Sequence, residues 1–302
     1  MADIALRFFK DMLVVSSPVA AALARQGVAD PRDQALAVIL EPETVEDIYR
    51  LETVAGPQML VTPLADFAPA RLAALGMEGR GTELAQASLA IPRAFKPQHL
   101  LVEIGPCGLP LDPSSKSSLV ENRDQYARAA ALFGAEEFDA FFLNGFTVID
   151  DLKCALMGLR KISDAPIFAS VDVTADGMLA SGRGTLAEAA AVMADLGASV
   201  AGFATLADPT AAERLADGAR EALAAQGADL SLMASLVVAE RDPRQQGPTA
   251  ENPYYAPDTM LAAAGALRSA GVQFLRAAGD ATPAYTGVLA AATAGQDVVA
   301  EV

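Results

Sequence analysis

Apolar residues along the chain fall into two alternating rhythms. Short runs with few polar interruptions, at residues 12–15, 59–62, 99–104, 138–143, 166–171, 199–203, 230–237 and 272–275, predict eight buried strands. Longer stretches between them repeat their apolar positions at helical spacing. They predict an alanine-rich helix ending at Gly27 and further helices over 42–55, 81–94, 119–133, 149–162, 185–196, 209–225, 257–270 and 283–294. In the second of these, Val45, Ile48, Leu51 and Val54 share one face, and Gly56 supplies the stop. Strands and helices that alternate eight times imply a parallel sheet. With no break in the series, the expectation is a closed (β/α)8 TIM barrel of the α/β class, one domain over residues 1–302. The run Ser181-Gly182-Arg183-Gly184 reads as a turn, because it carries no phosphate-loop lysine and does not follow a strand directly.

A barrel of this kind keeps its chemistry where the strands end. The last strand runs into Ala277, Ala278, Gly279 and Asp280, with neither thiol nor imidazole. The polar groups expected at the mouth are Ser16, Ser17, Thr62, Glu103, Cys107, Asn144, Asp172, Thr205, Glu240 and Asp280. Several have a plainer reading. Glu103 and Asp172 are placed to pair with Arg183 or Arg276, Glu240 begins a solvated loop continuing over 241–253, and Asp280 competes with Thr282 to cap the last helix. The pocket candidates that remain are Ser16, Ser17, Thr62, Cys107, Asn144, Asp172, Thr205 and Asp280.

Cys107 has no base to make it a nucleophile, since the single histidine, His99, lies at the opposite end of the third strand. Acidic groups around one mouth also suit a hard cation or a cationic ligand. Phe146, Phe203, Tyr254 and Tyr255 give no aromatic cage by spacing.

Composition narrows the partners. The 302 residues are 52% hydrophobic, enough for a large core, and carry Lys+Arg 22 against Asp+Glu 38, a net charge of −16. That field opposes nucleic-acid backbones and anionic membrane surfaces. Cys107 and Cys154 are too few for a disulfide framework and are not spaced as a metal pair. The N-terminus has no basic head followed by an apolar stretch, and no run approaches the length of a membrane span. A cytoplasmic protein is expected.

The words along the chain resemble the homocysteine S-methyltransferase family, zinc-dependent barrels that include betaine–homocysteine methyltransferase and the homocysteine module of methionine synthase. The resemblance rests on Glu43-Thr44-Val45 with Ala55-Gly56, residues 72–76 with Glu83-Leu84, and Glu103-Ile104-Gly105-Pro106. It continues in Leu179-Ala180-Ser181-Gly182 after Asp176-Gly177, and in Ala281-Thr282-Pro283. Each word is short; their order spans residues 12–294.

The resemblance implies a zinc-bound homocysteine thiolate as nucleophile. It implies one cysteine ligand after the sixth strand, where Thr205 stands in Gly202-Phe203-Ala204-Thr205. It implies two more in a Gly-Gly-Cys-Cys-Gly word, where Ala278 and Gly279 stand, followed by Asp280. An Asp-Gly word of the first strand is Ser16-Ser17 here, and the glutamate said to grip the substrate amine is Asn144, followed by Gly145. The expectation is therefore a divergent member of one-carbon or methyl-transfer metabolism that binds a small molecule at its mouth, is methyltransferase-like if active, and uses no zinc and no other cofactor. The alternative is a non-catalytic partner or regulatory subunit of a methyl-transfer or corrinoid system; an active zinc enzyme comes last. A corrinoid or methyl-transfer partner protein and homo-oligomerisation both stay open.

Overall fold

Eight parallel strands close on themselves in sequence order, β1 beside β2 and β8 beside β1. The structure, a computed structural model, describes residues 3–240, 242 and 244–299. Arg241 and Pro243, part of the loop expected over 241–253, lie outside the described residues, as do residues 1–2 and 300–302 at the termini.

The strands are β1 (Leu13–Val15), β2 (Met59–Val61), β3 (His99–Ile104), β4 (Ala140–Phe146), β5 (Ile167–Val173), β6 (Val200–Thr205), β7 (Ser231–Val238) and β8 (Val272–Gly279). The helices around them are α1 (Val19–Arg25), α2 (Pro31–Leu40), α3 (Pro42–Ala55), α4 (Pro69–Ala74), α5 (Gly81–Arg93) and α6 (Lys116–Ala131). The ring continues with α7 (Ile149–Arg160), α8 (Leu186–Asp195), α9 (Pro209–Ala225), α10 (Met260–Ser269) and α11 (Pro283–Thr293). The expected (β/α)8 barrel is the fold observed.

Because side chains alternate across a strand, each strand feeds two cores. One set, including Val14, Leu60, Leu100, Val102, Phe141, Phe203 and Leu275, packs outward against the helices. The other set fills the barrel with Leu13, Val15, Met59, Val61, Leu101, Ala140, Phe142, Phe168, Val200, Met233 and Phe274. The N-terminal end is closed by Ile4, on a 3-10 turn (Ile4–Arg7), and by Phe8, whose ring lies 6.2 Å from Phe168 and 6.1 Å from Phe274. His99 pins the same end: its Nδ1 is 3.3 Å from Asp139, whose other oxygen accepts from the Leu100 N–H. With the barrel plugged by aromatics below, its interior is approached from the opposite, C-terminal end.

Several elements differ from the expectation for identifiable reasons. β4 begins at Ala140 rather than residue 138, because Asp139 is committed to that bottom pin and Phe138 packs edge-on against Phe141. β8 continues through Arg276 to Gly279, held by its register with β7 as far as Val238↔Gly279. The helix expected over 257–270 opens with a 3-10 turn (Pro257–Thr259) before α10. Helices α2 and α4 were not foreseen; α2 starts at an Asp30 cap with proline at its first position.

Candidate functional site

The upper barrel interior breaks the apolar pattern. Continuing each inward-facing set toward the C-terminal end gives Glu103 after Leu101, Asn144 after Phe142, Ser170 and Asp172 after Phe168, Ser235 after Met233, and Arg276 after Phe274. Six strand positions thus turn polar toward the C-terminal end of the barrel, the part of the fold where barrel enzymes keep their working groups.

Arg276 is the centre of this layer. It is 1% exposed, and its guanidinium lies 5.1 Å from the centroid of the Phe142 ring. Its Nε donates to the Ser16 carbonyl at 3.0 Å, and its Nη2 donates to Glu103 Oε2 at 3.0 Å. The other oxygen of Glu103 accepts from Asn144 Nδ2 at 2.8 Å. Nη1 of Arg276 and the hydroxyls of Ser170 and Ser235 are buried with no hydrogen-bond partner among the described residues. Buried donors left in that condition cost free energy unless something else fills them, and an incoming ligand is one such filler.

Asp172 completes the layer. It is part-buried, and burial pushes its carboxyl up to about 6. A partly desolvated carboxylate at the C-terminal end of a barrel strand is the kind of group that marks a working site.

Of the sequence-derived candidates, Asn144 and Asp172 belong to this layer. The others point elsewhere. Ser16 is contributed through its backbone carbonyl, while its hydroxyl accepts from the Val61 N–H at 3.2 Å. Ser17 holds the buried Glu52 of α3 through its N–H and hydroxyl. Thr62 accepts from the Glu103 N–H at 3.0 Å and so fixes β3 without facing the barrel. Cys107 lies in the outer core, its thiol 3.1 Å from Asn122 of α6 and its N–H 2.9 Å from the Tyr126 hydroxyl. Burial raises its thiol above the ordinary range. Asp280 sits on the rim, paired with Arg25 at 2.6 Å, beside a cavity of about 290 Å³ lined by Val238, Tyr255 and Thr282 among others. Glu240 is exposed.

Arg276 was weighed in the sequence only as a structural partner, and Ser170 and Ser235 were not singled out. The signal was there: a lone charge at an inward position of an otherwise apolar strand.

The three positions where the resemblance implies zinc ligands do not fit that metal. Thr205 has the outward parity of Ala201 and Phe203, and its hydroxyl accepts from the Ala207 N–H at 3.1 Å. Ala278 brings no donor. Gly279 has φ +64, and a Cβ there would lie 2.4 Å from the Val238 carbonyl, so this backbone admits no cysteine. Among the described residues no group of three or more His, Cys, Asp or Glu is arranged to hold a metal ion. In the same register, Arg276 and Ala277 occupy the two glycine places of the Gly-Gly-Cys-Cys-Gly word. The chain has put a buried cation beside the place where the resemblance implies a metal.

No protein-family model matches the chain, and no curated protein matches it in sequence. Solved structures do match in fold. The homocysteine methyltransferase MmuM from Escherichia coli aligns in its metallated form with a TM-score of 0.72 at 17% identity, over 95% of this chain and 98% of that one. Its oxidized form aligns at 0.70 and 15%, over 93% and 96%. The carboxyl transferase domain from Rhizobium etli pyruvate carboxylase with 3-bromopyruvate aligns at 0.51 and 16%, over 90% of this chain and 40% of that one. At such identities the likeness is one of fold. Among the described residues no helix is long and apolar enough to cross a membrane.

Proposed function

We propose that this chain is a divergent barrel of the homocysteine methyltransferase type, a cytoplasmic protein of one-carbon or methyl-transfer metabolism. In this reading it binds a small molecule at the C-terminal mouth and does not activate a thiol on zinc. The fold likeness along almost the full length of a homocysteine methyltransferase supports the first part. The polar layer around Arg276 supports the second. One observation carries the reading: a buried arginine, fixed by Glu103 and Ser16 yet with Nη1 unpartnered, stands at the first glycine of the word that supplies zinc ligands in the family the sequence resembles.

The division of labour follows from the geometry. Glu103, held by Asn144 and Thr62, locks the guanidinium in one orientation, so Nη1 is presented without rotamer freedom. A ligand oxygen that accepts from Nη1 would be bound in a largely dry site, where such a bond is worth more than in water. Asp172 is the one group in the layer whose charge changes near neutral pH, and it is the candidate for exchanging a proton with whatever is bound.

The test is turnover. Purified protein with added zinc, homocysteine and a sulfonium or quaternary-ammonium methyl donor should form no methionine by mass spectrometry. Zinc-dependent methionine formation would overturn the reading. A second reading, a non-catalytic partner of a methyl-transfer system, is favoured by the joint departure of the thiol positions and of the amine-gripping position now held by Asn144. Turnover of any methyl donor by the chain alone would exclude it.

A further inference from the structure

The wall of the mouth constrains the chemistry of the ligand. The register aligns Asp172 with Ala204, Ala204 with Ser235, and Ser235 with Arg276, so these four form one inward-facing row across β5 to β8. A charge stands at each end, with two small side chains, Ala204 and Ser235, between them.

The two ends ask for opposite things. At the β8 end, Nη1 of Arg276 and the Ser235 hydroxyl are buried and without partners, and both can donate to an acceptor oxygen. At the β5 end, the Asp172 carboxylate has no hydrogen-bond or ion-pair partner among the described residues, while its part-burial keeps water from fully solvating it. An ionised carboxylate in that state is satisfied by a donor, best a charged one.

The charges around Asp172 decide which. Glu103 on β3 is neutralised by Arg276, Asp280 beyond β8 by Arg25, and Glu188 on α8 is bound into the cap at Thr185. On the flanking strands, β6 sets neutral Ala204 opposite Asp172, and the inward polar residue of β4, Asn144, is neutral as well. Arg183, on the turn before α8, is exposed and lines a separate groove with Asp150 and Glu188. Among the described residues the polar positions therefore keep one uncompensated negative charge, and the whole chain, at −16, adds a field of the same sign. A carboxylate ligand would add a second like charge beside Glu103 and Asp172. A quaternary ammonium offers no N–H and needs an aromatic cage, whereas Phe146 and Phe203 are turned into the outer core.

We infer that the ligand, given a small-molecule site at this mouth, is a protonated primary or secondary amine bearing an acceptor oxygen, with its ammonium on Asp172 and its oxygen on the Arg276–Ser235 end. Amino alcohols are the simplest members of the class.

Ethanolamine and 3-amino-1-propanol, with glycolate, 3-hydroxypropionate and choline as comparators, are titrated calorimetrically into the full chain between pH 5 and pH 8. An amino alcohol should bind, and its affinity should fall at least tenfold from pH 7.5 to pH 5 as Asp172 takes up a proton while the amine stays charged. Asp172→Asn should lower affinity at pH 7.5 at least tenfold with an unchanged circular dichroism spectrum. Ser235→Ala should weaken it less, and choline should bind at least tenfold more weakly. Carboxylates that bind more tightly as the pH falls, or amine binding indifferent to Asp172→Asn, would overturn the inference and leave the mouth standing as a small-molecule site. Failure of every one of these probes to bind the parent chain would remove the site itself.

Discussion

Deleting the carboxylate of Glu103 should leave Arg276 as an uncompensated cation inside the barrel. Arg276 is 1% exposed and would keep only the Ser16 carbonyl and the Phe142 ring; Asn144 would lose its acceptor as well. Removing one partner of a buried pair typically costs about 3–5 kcal/mol. The Glu103 side chain retains 14% exposure, through which water reaches the gap, so the low end applies, about 3 kcal/mol. For a large domain that corresponds to roughly 6 °C in Tm. The partner experiment is the double variant Glu103→Leu/Arg276→Met, which replaces the pair by apolar groups of similar volume. It should return to within about 1 kcal/mol of the parent, because such replacements are often neutral. Urea unfolding followed by circular dichroism measures the parent, both single variants and the double variant, with equal slopes required for the comparison. A Glu103→Leu variant losing less than about 1 kcal/mol, or a double variant no better than the sum of the singles, would refute the claim that this pair is buried and coupled.

Three further outcomes are expected. Asp172 has a folded-state pKa raised by burial to about 6, so its ionised form destabilises the fold above the unfolded value near 3.8, and Asp172→Asn should be more stable at pH 7.5. The gain should be on the order of 1–3 kcal/mol by thermal melting and should vanish as the pH falls below both values; a loss at pH 7.5 would contradict it. Gly279→Cys, made to restore a thiol, should cost at least about 2 kcal/mol or prevent folding, because φ +64 and a Cβ 2.4 Å from the Val238 carbonyl both oppose it. A stable, soluble variant would show that β7 and β8 separate more readily than their register implies. Cys107, buried and bonded to Asn122, should react with iodoacetamide at least about tenfold more slowly in the native protein than in urea, and equal rates by mass spectrometry would place it at an open surface.

Most of the fold could be read from the chain because its period-two and period-3.6 rhythms report which face is covered, and in a barrel every strand is covered on both. What escaped was local. Gln34, Ala35, Ala37 and Val38 of α2 are all buried, yet no repeating apolar stripe marks them, since α2 lies among other helices rather than flat on one face. At the mouth, reading candidates as the last polar residue of each strand favoured Ser16, Thr62 and Thr205. Alternation had already assigned Ser16, Thr62 and Thr205 to the side of Val14, Leu60 and Phe203. Parity counted from Leu101, Phe142, Phe168 and Phe274 would have kept Asn144 and Asp172 and added Glu103 and Arg276 to them. Where a polar side chain points depends on its step along the strand, not on its nearness to the loop.

The claim that the mouth has exchanged a metal for a fixed guanidinium is tested most directly by a zinc-affinity titration, with a chromophoric chelator as competitor and homocysteine present and absent. The account predicts no stoichiometric zinc retained against the chelator and no change with homocysteine, the affinity staying weaker than a Kd of about 1 μM, or −8.2 kcal/mol. One zinc per chain bound tightly enough to survive competition, and strengthened by homocysteine, would mean that thiol activation persists here and that Arg276 has been given the wrong role.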